Sequence, residues 1–359
     1  MDSLIGITTK DWLKLLIENR FTIDPPYWHK ALQLTLRSVR NSIIARREKK
    51  NYQQKLAELE LKEHPIFIIG HWRSGTTLLH TLFVLNKNYA TPNLFEVSNP
   101  HTFLTLEDMI INYLQKIPAE KRPMDNISVK FNSPGEDEFA LSLMSFRSPI
   151  VAWTFPRHED FYDRYLTFEN VQERDLKQWE AALVLFIKKL TLRYNRQIVL
   201  KSPVHTGRIK HLLRVFPRAR FIHIHRNPYI VFQSTQKLIK TAVSLSYLQR
   251  PYKERIDAGI IRRYAMMYEA FFKDRALVPK NQFIEICFEE LEQDFLGQFE
   301  KIYSQLELPG FETFKPALEE HLKSISNYKK NKYPQLPDST RQKIAAAWKR
   351  NFEEWGYKI

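Results

Sequence analysis

The chain has 359 residues, of which 43% are hydrophobic and 26% are charged, and its formal net charge is +15 at pH 7. The hydrophobic content excludes a disordered chain, and the length suits one α/β domain with insertions. The excess of Lys and Arg favours an anionic ligand, nucleic acid or an acidic membrane surface. Because the basic residues are spread along the chain, charge alone leaves that choice open.

The cellular compartment of the protein can also be predicted from the sequence. Cys287 is the single cysteine, so no disulfide can form within the chain, which predicts a reducing compartment. No run of 18 apolar residues predicts a transmembrane helix. Charged residues interrupt the first 20 residues too early for a secretory signal. We therefore expect a cytoplasmic protein.

The first segment, residues 1–63, has apolar residues at helical spacing. Its second part, from residue 44 onward, is strongly charged, as in a helix that faces water. A basic amphipathic segment can also lie on a membrane surface, and the sequence leaves both interpretations open.

After this segment, short apolar strands alternate with helices, which predicts a central parallel sheet covered by helices. The predicted strands lie at 65–70, 197–200, 219–225 and 281–286. The helices predicted to follow them lie at 76–86, near 206–215, at 228–240, and in a segment carrying Leu291, Phe295, Phe299 and Ile302. Longer helices are predicted within 135–148, 171–195 and 254–277. The last helical stretch has an N-cap signal at Asp338 or Ser339 and a stop at Gly356.

The first predicted strand leads into a glycine-bearing loop in PIFIIGHWRSGTTLL, residues 65–79. Gly70 and Gly75 stand five apart, as in a phosphate-binding P-loop, but Thr76 occupies the position of the P-loop lysine and Arg73 lies inside the loop. No strand is followed by a convincing carboxylate for Mg²⁺. The loop therefore predicts a site for a phosphate without a triphosphate tail or a metal, the alternative being an ordinary strand–helix turn.

Two further segments place polar residues where a predicted strand ends. In FIHIHRNPYIVFQST, residues 221–235, Arg226 ends the strand and Ser234 lies two turns into the next helix, which suits a second phosphate. In LKSPVHTGR, residues 200–208, Lys201 and His205 suit electrophile stabilisation and general base chemistry. A surface arginine and a structural histidine are the alternatives. A metal reading of His223 and His225 lacks a third ligand, so no metal is predicted.

Together these segments resemble the sulfotransferases that use 3′-phosphoadenosine 5′-phosphosulfate (PAPS). R-S-G-T-T resembles the family's 5′-phosphosulfate loop, R-N-P-x(5)-S its 3′-phosphate site, and K-S-P-x-H the segment that carries a catalytic Lys and His. Residues 287–306 resemble the strand–helix that follows in the family. LFEVSNP at 94–100 and SPGEDEFAL at 133–141 resemble its large, mostly bacterial branch.

The resemblance implies a P-loop-NTPase-like α/β fold in a single domain over 1–359. Within it, 1–63 would be a helical N-terminal extension, 64–310 the PAPS-binding core and 311–359 a C-terminal helical segment. The implied ligands of PAPS, whose product is adenosine 3′,5′-bisphosphate, are Arg73, Ser74, Gly75, Thr76, Thr77 and Leu78 for the 5′ end, Arg226 and Ser234 for the 3′-phosphate, and Phe288 for adenine.

Catalysis needs a cation near the leaving oxygen and a base for the acceptor. Lys201 is the candidate cation. His205 is the first candidate base and Glu96 the second, since other branches of the family place a glutamate base there. The acidic cluster 136–138 is a third candidate, although acidic residues also stabilise a helix N-terminus.

The acceptor is predicted from the aromatic stretch 139–165, in which Trp153 and Phe155, together with Glu138, would contact it. We expect a small hydrophobic alcohol such as a sterol or lipid; core packing of these aromatics and a carbohydrate or other polar acceptor are alternatives. A nucleotide-dependent kinase and a basic nucleic-acid or membrane-binding protein rank lower. YKKNKY, residues 328–333, is expected near the anionic cofactor or in solvent rather than on nucleic acid. The sequence leaves the oligomeric state and the role of residues 1–63 open.

Overall fold

The computed structural model describes residues 4–125, 128–325, 331 and 333–359. The chain forms two compact units, each made of separate chain segments. The helical unit comprises Met1–Lys62, Thr91–Asn195 and Ile239–Lys253, and the sheet unit comprises Glu63–Ala90, Arg196–Leu238 and Glu254–Ile359. The division into extension, core and C-terminal segment expected from the sequence stays a prediction.

The strands of the described residues are β1 Ile66–Ile69, β2 Tyr89–Ala90, β3 Glu120–Lys121, β4 Ser128–Val129, β5 Gln197–Lys201, β6 Arg220–His225 and β7 Phe283–Cys287. The α-helices are α1 Thr9–Glu18, α2 Trp28–Glu58, α3 Thr76–Phe83, α4 Leu94–Ser98, α5 Phe103–Leu114, α6 Asp137–Ser145, α7 Glu159–Asp163, α8 Glu173–Tyr194, α9 Ile209–Val215, α10 Pro228–Thr241, α11 Ile256–Asp274, α12 Phe288–Gln293, α13 Phe295–Gln305, α14 Phe311–Ile325, α15 Asp338–Ala347 and α16 Lys349–Trp355.

The sheet unit is built on a parallel sheet with the strand order β2-β5-β1-β6-β7. Central strand β1 is apolar at every position and fully buried, as expected for a strand with both faces covered. One face packs against α3, α13 and α14 through a core cluster that includes Leu79, Phe299 and Leu318. Between the neighbouring strands β1 and β6, Phe67 stacks on Phe221 with ring centroids 5.6 Å apart. This sheet confirms the α/β fold predicted from the alternation of short apolar strands and helices.

The helical unit is organised around α2, which has 31 residues. Helix α1 lies along it, and the Trp12 indole donates a hydrogen bond of 2.8 Å to Thr35 Oγ1. Helix α8 contacts it through an ion pair between Lys189 Nζ and Glu48 Oε1, which are 2.5 Å apart and both buried. Lys189 also donates to the Pro100 carbonyl oxygen, so one ammonium group joins α2, α8 and the chain just before α5.

Several element boundaries differ from the sequence prediction for local reasons. The helix predicted through Leu291 and Phe295 divides into α12 and α13, because the Asp294 side chain caps the second helix by accepting from Gly297 N. The helix predicted near 206–215 starts as a 3₁₀ turn over Pro203–Arg208. The predicted N-cap at Asp338 or Ser339 is wrong: Pro337 is the cap residue and Asp338 is already helical.

Other boundaries agree with the prediction. Gly356 ends α16 with a φ of 67°, in the left-handed region that glycine adopts readily. Among the described residues, no helix has both the length and the apolar run that would let it cross a membrane.

Candidate functional site

The glycine-bearing loop joins β1 to α3 in the sheet unit. Gly75 has a φ of 106°, and a Cβ at this position would clash with the ring of Phe288. Ser74 Oγ donates to the His71 carbonyl oxygen at 2.8 Å, which stabilises the turn from inside. Thr76 is the first residue of α3, so the free backbone N–H groups of that helix begin where the loop ends. The loop therefore has the geometry of an anion-binding turn, and it requires glycine at its last position.

Arg73 lies inside this loop in a conformation that is unusual for arginine. Its φ is 73°, and a non-glycine residue in the left-handed region is costly unless its surroundings hold it there. Its Nε donates a hydrogen bond of 2.9 Å to Ser234 Oγ on α10. Ser234 is buried and also accepts a hydrogen bond of 3.0 Å from the Tyr333 hydroxyl. The loop is thus joined to α10 through one buried serine of that helix.

Arg226 follows β6 and meets the same loop. Its guanidinium carbon lies 4.1 Å from the centroid of the Phe288 ring, in a cation–π contact. Burial lowers the pKa of the Arg226 guanidinium, Glu292 and Glu289 raise this pKa, and the charge of Arg73 lowers it. The guanidinium groups of Arg226 and Arg73 thus lie close enough to repel each other, and an anionic ligand beside them would relieve this repulsion.

Lys201 reaches the same edge of the sheet through β5. It ends that strand, pairs in register with Ile68 of β1, and is buried. The next residue, Ser202, is also buried, and its Oγ has no hydrogen-bond partner among the described residues. The carboxyl ends of β5, β1, β6 and β7 lie side by side in the sheet. Their order therefore brings together Lys201, the loop, Arg226 and Phe288, which is where parallel α/β sheets bind ligands.

His205 lies in the 3₁₀ turn that follows Lys201. Its side chain is fully buried and packs edge-on against Phe67, with ring centroids 5.3 Å apart. Of the remaining residues predicted for the 5′ end, Thr77 and Leu78 are partly buried in the first turn of α3.

Two residues of this edge were not among the predicted site residues. His80 lies one turn after Thr76 on α3 and is buried. Burial lowers the pKa of its imidazole well below the usual range, and the charge of Lys201 lowers the pKa further. The spacing of four residues from Thr76 to His80 could have indicated it. Tyr333 is the second: its segment was expected near the anionic cofactor or in solvent, but the sequence did not single out Tyr333 or its contact with Ser234, 99 residues away.

Tyr333 belongs to the segment YKKNKY. Residues 328–330 and 332 of that segment lie outside the described residues. Asn331 Oδ1 accepts a hydrogen bond of 2.8 Å from Lys237 Nζ on α10. The described part of the segment therefore contacts the same helix that carries Ser234.

Glu96 belongs to the helical unit and is fully buried in the first turn of α4. It forms a capping box with Asn93, whose backbone N–H donates to Glu96 Oε2 at 2.8 Å. The Tyr194 hydroxyl donates to Oε1 at 2.8 Å, and Arg193 Nε lies 3.7 Å away. Burial raises the pKa of this carboxyl to about 7, and the charge of Glu107 raises it as well. A carboxyl with this pKa can exchange protons near neutral pH.

The predicted acceptor residues also lie in the helical unit. Glu138 is buried in the first turn of α6, and Phe155 is fully buried. Trp153 is partly exposed and packs against Phe139 with ring centroids 5.8 Å apart.

The histidines of β6 have other partners. His223 Nδ1 lies 2.8 Å from Glu285 Oε2, and His225 Nδ1 lies 3.0 Å from the Tyr357 hydroxyl. In the part of the chain that the structure describes, no three His, Cys, Asp or Glu side chains gather as metal ligands would.

Comparison with known proteins decides the family. The model of the sulfotransferase family matches residues 65–313. The chain belongs to this family. Curated sulfotransferases named "Omega-hydroxy-beta-dihydromenaquinone-9 sulfotransferase Stf3", from Mycobacterium bovis and Mycobacterium tuberculosis, are each 35% identical to it over 353 residues, which cover 98% of this chain and 90% of theirs.

Solved structures show the same fold. Sulfotransferase STF9 from Mycobacterium avium has a TM-score of 0.70 at 16% identity, covering 99% of this chain and 98% of its own. Sulfotransferase STF1 from Mycobacterium tuberculosis has a TM-score of 0.66 at 17% identity, covering 94% of this chain and 92% of its own. The predicted family and enzyme class are therefore confirmed, and this sulfotransferase requires a sulfonate donor. The family match favours this activity over the kinase and nucleic-acid alternatives.

Proposed function

We propose that this sulfotransferase transfers the sulfuryl group of PAPS to the hydroxyl of a hydrophobic, lipid-class alcohol. The observation that carries the donor assignment is the convergence of Arg73, Ser234 and Arg226 where strands β1 and β6 end. A donor with phosphate groups at both ends of a ribose needs two anion sites close together, and PAPS is such a donor.

The residues present fit this donor. The loop at Gly75 and the first turn of α3 would hold the 5′-phosphosulfate, with Arg73, Ser74, Thr76, Thr77 and Leu78 around it. Arg226 and Ser234 would hold the 3′-phosphate, which ATP lacks. Phe288 already stacks on Arg226 and would offer a flat aromatic surface to adenine. No metal is part of the proposal.

Two residues carry the chemistry in this proposal. Lys201 would stabilise the charge that develops on the leaving oxygen, because it is a buried cation at the ligand-binding edge of the sheet. His205 remains the first candidate for the base. Glu96 is the second, and its pKa of about 7 supports it.

The names of the relatives and an exposed aromatic side chain of this chain support a lipid acceptor. The mycobacterial relatives are named for a hydroxylated dihydromenaquinone, which is a lipid alcohol. In this chain Trp153 offers a partly exposed aromatic surface to the acceptor, whereas the predicted acceptor residues Glu138 and Phe155 are buried. We propose a cytoplasmic enzyme whose N-terminal helices contact the membrane that supplies the acceptor. A sterol fits the same chemistry, and a polar carbohydrate is the alternative.

Calorimetry with the full chain tests the donor site without knowledge of the acceptor. Adenosine 3′,5′-bisphosphate, ATP and adenosine 5′-phosphate would each be titrated without Mg²⁺. We expect the bisphosphate to bind at least tenfold more tightly than the other two, a difference of about 1.4 kcal/mol. Equal affinity for ATP would overturn the two-phosphate site. A subsequent screen with PAPS, farnesol, cholesterol and glucose separates the lipid acceptor from the carbohydrate alternative.

A further inference from the structure

Helix α2 exposes a row of large apolar side chains on the face opposite its buried residues. The buried side chains Leu34, Ser38 and Asn41 face the rest of the helical unit. The exposed row consists of Trp28, Leu32, Leu36, Val39 and Ile43, of which four are more than 60% exposed. The steps of three or four residues keep these side chains on one side of the helix. Single exposed apolar residues are ordinary, but a continuous row marks an interaction surface.

Helix α1 adds to this surface. It lies beside α2 through the hydrogen bond from Trp12 to Thr35, and a contact of 3.2 Å between Thr9 Oγ1 and Ser38 Oγ. Leu13 and Ile17 on α1, together with Phe21 just after it, are exposed at four-residue spacing. We call the eight residues Leu13, Ile17, Phe21, Trp28, Leu32, Leu36, Val39 and Ile43 the N-terminal apolar face.

The charges around this face are predominantly basic. Between residues 28 and 50, the basic residues are Lys30, Arg37, Arg40, Arg46, Arg47, Lys49 and Lys50, and the acidic residue is Glu48. Glu48 is buried in its ion pair with Lys189. On α1, Asp11 accepts a hydrogen bond from Thr8, and Glu18 lies 3.6 Å from Arg147. The acidic side chains are thus engaged within the unit, whereas the exposed surface is apolar and cationic.

We propose that the N-terminal apolar face docks this enzyme onto an anionic lipid bilayer. An interfacial helix needs a strongly amphipathic exposed surface, bulky aliphatic residues, an aromatic residue at headgroup depth, and Lys or Arg beside them. Trp28 supplies the aromatic residue, and Arg40, Arg47 and Lys50 flank or extend the row of α2. This inference rests on the proposed lipid acceptor, because docking would place the enzyme where such an acceptor is dissolved.

Vesicle sedimentation with the full chain tests the proposal. The probes are vesicles of phosphatidylcholine alone and of phosphatidylcholine mixed with phosphatidylglycerol. We expect binding to the anionic vesicles and at least tenfold weaker binding to the neutral ones. The variant Leu32→Gln/Leu36→Gln/Ile43→Gln should lower the affinity for anionic vesicles by about tenfold or more, since its side chains no longer enter the interface. Because these side chains are exposed, the variant should fold.

The matched control is Leu185→Gln/Leu277→Gln/Ile359→Gln, which changes three exposed aliphatic residues outside the face. It should bind anionic vesicles like the wild type. A second variant, Arg40→Gln/Arg47→Gln/Lys50→Gln, should weaken the preference for anionic vesicles and its dependence on salt.

Three outcomes would overturn the proposal. The wild type could fail to bind vesicles, or the control variant could lose as much affinity for anionic vesicles as Leu32→Gln/Leu36→Gln/Ile43→Gln. The wild type could also be a dimer that Leu32→Gln/Leu36→Gln/Ile43→Gln dissociates. The last outcome would assign the face to a second copy of the chain. Titration with adenosine 3′,5′-bisphosphate distinguishes failure of the proposed function from failure of the proposed docking surface. Vesicle binding without bisphosphate binding would reject the proposed function and leave the docking surface intact, and the reverse result would reject only the docking surface.

Discussion

Arg73 Nε donates a hydrogen bond of 2.9 Å to Ser234 Oγ, joining residues that are 161 positions apart. Arg73 belongs to the loop expected at one end of the donor, and Ser234 to the helix expected at its other end. Their contact fixes the distance between the two proposed anion sites in the absence of a ligand. Preorganisation of this kind lowers the entropic cost of binding a nucleotide that carries an anionic group at each end.

Replacing Arg226 by Lys should weaken binding of adenosine 3′,5′-bisphosphate by about tenfold or more, while the affinity for adenosine 5′-phosphate changes little. Lys keeps the charge but cannot lie flat on Phe288 or donate two parallel hydrogen bonds to a phosphate. Calorimetry measures both affinities. The control is Arg218→Lys, because Arg218 is exposed just before the amino end of the same strand, β6. Equal losses for both nucleotides would show that Arg226 does not contact the 3′-phosphate.

His205→Ala should retain bisphosphate affinity and lower kcat by about 10²-fold or more if His205 is the base. The side chain is fully buried, so His205→Asn, which preserves more of the volume, should be measured in parallel, with thermal unfolding of both variants. The assay would use the acceptor that the screen identifies. If both variants turn over normally and Glu96→Gln loses the 10²-fold instead, the base is Glu96.

Glu96 should also make stability depend on pH. Its folded pKa is about 7 against a reference of 4.5, so ionisation in the folded state costs free energy. The stabilisation of the protonated form is complete below pH 4.5 and is lost as the pH rises through 7. Relative to Glu96→Gln, the wild type should lose about 3 kcal/mol of unfolding free energy over this window. Urea denaturation of both proteins at pH 5 and pH 8 measures the difference, and parallel pH profiles would contradict the assignment.

Breaking the buried ion pair of the helical unit should destabilise the protein strongly. Lys189→Met leaves the Glu48 carboxylate buried without its cation, at a cost of about 3–5 kcal/mol. Removing both charges in Lys189→Met/Glu48→Leu should recover most of this loss, because neither charge then remains uncompensated. Denaturant unfolding of the wild type, Lys189→Met, Glu48→Leu and the double variant completes a double-mutant cycle for the ion pair. Lys177→Met, an exposed lysine on the same helix, is the control and should be nearly neutral.

The sequence predicted four of the five strands of the parallel sheet, because these four are short, mostly apolar runs between helical patterns. The fifth strand, β2, has two residues and is too short to give such a pattern. The convergence of Arg73 and Arg226 at one edge followed from the same pattern. The composition of YKKNKY placed that segment near the anionic cofactor or in solvent, but the specific contact of Tyr333 with Ser234 depends on the folded path of the chain, which brings together residues 99 positions apart. The environments of Glu96 and His205 were equally hidden, since burial and partners such as Tyr194 and Phe67 are properties of the packed units.

The strand order also sets when the carboxyl edge of the parallel sheet can form during synthesis. Strand β1 pairs with β5 and β6, yet β5 begins at Gln197, about 130 residues after β1 ends. At typical rates of translation, this fully apolar strand would wait roughly 6 to 26 s for β5, the first of its partners. We expect the nascent chain to be most vulnerable to aggregation in this interval, and most dependent on chaperones that cover exposed β1.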